Sequence, residues 1–114
     1  MGNFHDDLKK KMDEFAHLIY KITKVFPKDE LYGMVSQMRR AALSIILNYI
    51  EGYARKREKV YKNFLETSYG SLKEEKYLLH FSLMENYLSK TDYKKAIDLA
   101  EDIGAMLWGI LRKL

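Results

Sequence analysis

Between Phe26 and Arg57 the chain carries more apolar surface than one helix of a small bundle can bury, and that surplus limits what it can fold into. Leu31, Met34, Val35, Met38, Ala42, Ile45, Tyr49 and Tyr53 recur at helical spacing and form one stripe. Leu43, Ile46, Leu47 and Ile50 fall well to one side of it. A surface helix of a monomer needs an apolar stripe only about 100° wide. The remaining arc is a polar seam of Gln37, Arg40, Ser44, Asn48, Glu51 and Arg55. In it Glu51 and Arg55 are an i,i+4 pair. Gly52, near the helix end, marks a bend or a close helix approach.

The rest of the chain supplies partners for such a helix. Phe4, Leu8, Met12, Phe15, Ile19, Ile22 and Phe26 step by three and four, which predicts a helix over 5–25 capped by Asn3. Pro27 ends it and opens the next helix, expected over 28–56. The charged junction Arg55–Lys59 holds the next turn. A third helix follows over 59–86, with Tyr61, Leu65, Ser68, Tyr69, Leu72, Leu79 and Leu83 facing the core. Gly70, Tyr77, Phe81 and Met84 line a weaker second strip. Ser89 or Thr91 caps a fourth helix over 91–113, with Tyr93, Ile97, Ala100, Ile103, Leu107, Leu111 and Leu114 on its stripe. Four helices, short connections and no strand-like alternation predict an all-α, antiparallel up-down-up-down four-helix bundle spanning 1–114 as one domain.

Composition narrows the function classes. The 114 residues contain no cysteine, which removes disulfide frameworks and cysteine-ligated zinc. No signal-peptide pattern opens the chain, and its longest apolar run, from Ala41 to Ile50, is about half the length of a membrane span. A cytoplasmic protein without membrane contact is expected. Glu14 and His17 form half of a di-iron signature, but no second Glu-x-x-His exists, so they read as solvated surface and no metal site is expected. No nucleophile has a histidine within a helical turn, and the glycines are scattered rather than clustered. The chain reads as a non-enzyme with no cofactor.

The formal net charge is +4. Residues 1–57 hold 11 Lys/Arg against 7 Asp/Glu, while residues 58–114 hold nine of each, so the excess falls in the first half. Tyr53, Arg55, Lys56, Arg57, Lys59, Tyr61 and Lys62 interleave basic and aromatic side chains. That combination suits phosphate contacts with bases stacked on tyrosine. A solvated inter-helix turn accounts for the same residues, and Tyr53 and Tyr61 also fit core stripes. Leu43, Leu47 and Ile50, exposed together, would form the kind of patch that marks an interface, so self-association is expected. A charged pair such as Arg40–Glu51, within one chain or between copies, would fix the geometry of that interface.

The run Phe26-Pro27-Lys28-Asp29-Glu30, Tyr32-Gly33, Ser36 to Ala42, Ser44-Ile45, Asn48 and Glu51-Gly52 resembles a family of bacterial four-helix-bundle proteins. The family was first met as products of intervening sequences in 23S rRNA genes. Phe64-Leu65 and Gly70-Ser71-Leu72 with Glu74 fit its third helix. The resemblance implies a ring-like homopentamer, and kinship with accessory proteins of diversity-generating retroelements, which bind nucleic acid and a reverse transcriptase. It also implies RNA or DNA, a reverse transcriptase or a ribosomal particle as partners; a protein-binding scaffold without nucleic-acid contact is the other reading. The family often has proline where this chain has Ile46, and a small residue where it has Leu47. A straighter helix with a greasier surface is therefore expected here.

Overall fold

The computed structural model describes residues 3–114; residues 1 and 2 of the expected domain lie outside the described residues. Asn3 opens α1 (Phe4–Thr23) by accepting the Asp6 backbone N–H at 2.8 Å, and Asp6 and Asp7 place negative charge at the positive end of the helix. The stripe from Leu8 to Phe26 is buried throughout. Phe4, expected on that stripe, is half exposed at the lip of a groove it shares with Ile110 and Leu114. Thr23 ends α1 two residues early. Its hydroxyl donates back to the Ile19 carbonyl at 2.7 Å and accepts from Arg39 Nε at 3.0 Å, and Arg39 lies over the Tyr20 ring.

The single helix expected over 28–56 is three pieces. Lys28–Glu30 form a 3₁₀ turn, Leu31–Val35 a π turn, and α2 proper runs Ser36–Tyr53. Glu30 explains the irregular start. One of its carboxylate oxygens accepts the Met34 N–H at 3.2 Å and the other accepts the Tyr87 hydroxyl at 2.9 Å. That clamp ties the head of α2 to the far connection of the bundle. The wider π turn shifts the helical phase, which is why Leu31 is exposed while Val35 is buried. Beyond Ser36 the helix runs without a break through Ile46, and Met38, Ala42, Ile45 and Tyr49 are buried as expected. Tyr53, at its last turn, is exposed.

Helix α3 (Glu58–Met84) has 27 residues, about 40 Å at helical rise, and matches the 43 Å long axis of the molecule. It stops where Asn86 adopts the left-handed conformation (φ 63°) and Tyr87 N–H bonds back to the Ser82 carbonyl, a wrapped helix end. Ser89 then caps α4 (Lys90–Leu111) through the Asp92 N–H at 3.0 Å. Among the described residues there are four α-helices and no strand.

Cross-helix pairs give the topology. His5 meets Tyr53 while Thr23 meets Arg39, Ser44 meets Ser71 while Met38 meets Ser82, Lys76 meets Glu101 while Tyr69 meets Trp108, and Lys11 meets Asp102 while Phe4 lies beside Arg112, so each helix runs antiparallel to its neighbours. The α2–α3 seam is the tightest. A β-carbon on Gly52 would stand 2.7 Å from that of Phe64, and Ser68 donates to the Ile45 carbonyl at 2.7 Å.

One core residue has no counterpart in the apolar pattern. Glu75 is fully buried, and neither of its carboxylate oxygens has a hydrogen-bond partner. Its sequence neighbours are paired, Glu74 with Arg40 and Lys76 with Glu101. Burial, and then the neighbouring Glu74, raise its carboxyl to about 9, against a smaller opposing pull from Arg40. Glu75 is therefore a neutral acid at pH 7.

Candidate nucleic-acid interface

Antiparallel packing brings the start of α1, the α2–α3 turn and the end of α4 to one end of the bundle. Residues 3–11, 51–63 and 108–114 carry ten Lys/Arg against four Asp/Glu, while the remainder of the chain carries ten against twelve. Counted along the sequence the positive excess falls in the first half; in the folded molecule it gathers at one end. Arg112 and Lys113, absent from the sequence-based patch, join it because α4 ends beside the start of α1, where Phe4, Arg112 and Lys113 line one groove.

The six residues proposed from the sequence have different circumstances. Lys56, Arg57 and Lys59 are exposed and make no ion pair among the described residues. Arg55 is engaged: it bonds Glu51 at 2.7 Å and its guanidinium lies over the Phe64 ring. Lys62 is half-buried. Tyr53 is 53% exposed, although its spacing had also suited the core.

Tyr53 stands against His5, a residue that no sequence motif singles out. The two rings are stacked with centroids 3.5 Å apart and planes 12° from parallel. Behind them the Tyr49 hydroxyl and His5 Nδ1 share a 2.8 Å hydrogen bond. Tyr49 is buried, and that burial, followed by the nearby Tyr61 and Tyr53, pushes its hydroxyl far above the ordinary tyrosine range. Tyr61 is raised in the same direction, chiefly by burial. These hydroxyls keep their protons at physiological pH, so the cluster adds no negative charge to the basic end.

The polar seam closes largely inside the chain. Arg40 pairs with Glu74 at 2.6 Å, Ser44 with Ser71 at 2.8 Å, and the Asn48 amide donates to Ser44. The Arg40–Glu51 pair considered from the sequence does not form within the chain, since Glu51 is held by Arg55. The i,i+4 alternative does form. Leu43, Leu47 and Ile50 are exposed along α2, Leu47 to 58%, in a line that leads toward Tyr53 and the basic end. Glu14 and His17 are both exposed, and His17 lies 3.4 Å from Asp13. Among the described residues no three His, Cys, Asp or Glu side chains group as metal ligands, and no helix is long and apolar enough to cross a membrane.

Two of these features were missed for different reasons. Arg112 and Lys113 follow from the topology, because an up-down-up-down bundle must return both chain ends to the end that holds the α2–α3 turn. His5 carried no comparable signal. Its partner lies 48 residues away and no local spacing announces the stack.

No curated protein matches the chain. A crystal structure of a protein of unknown function from the S23 ribosomal protein family of Bacteroides thetaiotaomicron VPI-5482 superimposes with a TM-score of 0.89. At 22% identity, covering 96% of this chain and 99% of that one, it shares the fold. The sequence profile described as 23S rRNA-intervening sequence protein matches residues 6–109. The chain belongs to the 23S rRNA-intervening sequence protein family.

Proposed function

We propose that the protein is a non-enzymatic, homo-oligomeric accessory protein that binds nucleic acid through the basic end of its bundle. The observation that carries this reading is the charge distribution: ten cations against four carboxylates at one end, in a molecule otherwise slightly acidic. A concentrated positive field attracts polyphosphate backbones and displaces their counterions. The partners that fit are RNA or DNA, within a ribosomal or reverse-transcription particle of the sort the family resemblance implies.

Self-association is supported by the exposed ridge of Leu43, Leu47 and Ile50. Cyclic symmetry gives every copy the same tilt to the ring axis. A ring, five-membered as the resemblance implies, with bundles upright along that axis would gather the basic ends on one rim and multiply the charge of one subunit. The same ridge also supports the second reading, a scaffold whose α2 face takes a different protein and whose basic end stays solvated.

Fluorescence-anisotropy titrations with a structured RNA and with duplex DNA at low salt test the proposal. Binding that weakens steeply as salt rises is expected. Absence of binding at low salt to both of these, and to single strands as well, would leave the scaffold reading.

A further inference from the structure

We infer that the basic end selects unpaired nucleotides, with one base stacking on the Tyr53–His5 pair while the adjoining phosphates lie on Lys56, Arg57 and Lys59. This rests on the nucleic-acid reading above and specifies its substrate as single-stranded.

The reasons are geometric. Tyr53 is the last residue of α2, so its ring is followed within four residues by two exposed cations, Lys56 and Arg57. One face of the ring is already occupied by His5 at 3.5 Å, and half of the side chain remains open to solvent. His5 is itself fixed: its Nδ1 is bonded to the buried Tyr49 hydroxyl, and its ring also packs against Tyr49 at 5.4 Å. The stack is therefore preorganised, and a base landing on Tyr53 meets an aromatic surface that loses little freedom on binding. Bases inside a duplex have their faces taken by their neighbours, whereas an unpaired base has a face to offer, and aromatic stacking accepts any base.

Labelled oligonucleotides of about 20 nucleotides, in RNA and DNA forms, would be titrated single-stranded and as the matching duplexes at fixed low salt. The protein as it stands is expected to bind the single strands more tightly. Tyr53→Leu should weaken single-strand binding roughly 10-fold and leave duplex binding nearly unchanged. His5→Leu should give a smaller loss of the same selective kind, and His5→Phe, which keeps a flat ring behind Tyr53, should recover most of it. Lys56→Ala with Arg57→Ala should weaken both substrates alike. Circular dichroism melts would check that each variant folds, with Tyr53→Phe, which retains the ring, as a conservative companion expected to bind normally. Equal losses on single strand and duplex for Tyr53→Leu, or no loss on either, would overturn the stacking assignment while leaving phosphate binding intact. Failure of the unaltered protein to bind any of the four probes would overturn the nucleic-acid reading itself.

Discussion

Arg40 on α2 and Glu74 on α3 hold each other at 2.6 Å, while Glu75, the very next residue, is buried without a partner. Two adjacent carboxyls thus have opposite fates. Glu74 faces the groove between two helices and is satisfied, whereas Glu75 turns into the core and is kept neutral by its surroundings.

That neutrality makes stability fall as pH rises. In the unfolded chain Glu75 titrates near 4.5, and in the folded chain near 9, so between those values the folded state holds the extra proton. The contribution is fully present below about pH 4.5 and is lost progressively up to about pH 9. Urea melts at intervals from about pH 5 to pH 8 should show a decline on the order of a few kcal/mol. Glu75→Gln, which keeps the shape and cannot ionise, should give a markedly flatter curve. Equal slopes for the two proteins would assign the decline to other groups.

Gly52 sits at a close approach of α2 and α3. Any β-carbon there would collide with the Phe64 β-carbon, and a backbone carbonyl, that of Tyr61, stands 3.4 Å away. Because neither obstacle is a flexible side-chain tip, Gly52→Ala should destabilise the fold by about 1–3 kcal/mol despite alanine's better helix propensity. A denaturation midpoint at or above that of the parent would show that the helices separate at little cost.

Much of this architecture is legible in the sequence, and the places where it is not are instructive. The α1 stripe from Leu8 to Phe26 and the α4 stripe through Ala100, Ile103 and Leu107 follow directly from spacing. Leu31 does not, because the Glu30 clamp winds a π turn that shifts the helical phase, and no periodicity rule sees a hydrogen bond to Tyr87. Glu75 is missed because a glutamate is assigned to solvent unless a tertiary neighbour is known. The basic junction was visible as a cluster. Its enlargement by Arg112 and Lys113, and the brace of His5 on Tyr53, depend on contacts made across the whole chain.

The α2 ridge gives a direct test of assembly. Leu47 is the most exposed of its three apolar residues, at 58%, so Leu47→Glu should fold normally yet carry a charge into any interface formed there. Light scattering should find a large mass for the parent and the monomer for the variant. An unchanged mass would move the interface to another face.

The gathering of charge at one end is the centre of the functional proposal, and a paired comparison of salt dependence tests it most directly. One variant would replace Lys56, Lys59 and Lys113 with alanine; the other would replace Lys24, Lys28 and Lys90, three exposed lysines at the connections of the opposite end. Both lose the same formal charge. Plotted as log affinity against log salt for single-stranded RNA, the first variant should lose roughly 2 to 3 units of slope, and the second should track the parent. Equal effects from the two ends, or a larger effect from the second, would contradict a nucleic-acid interface at the basic end.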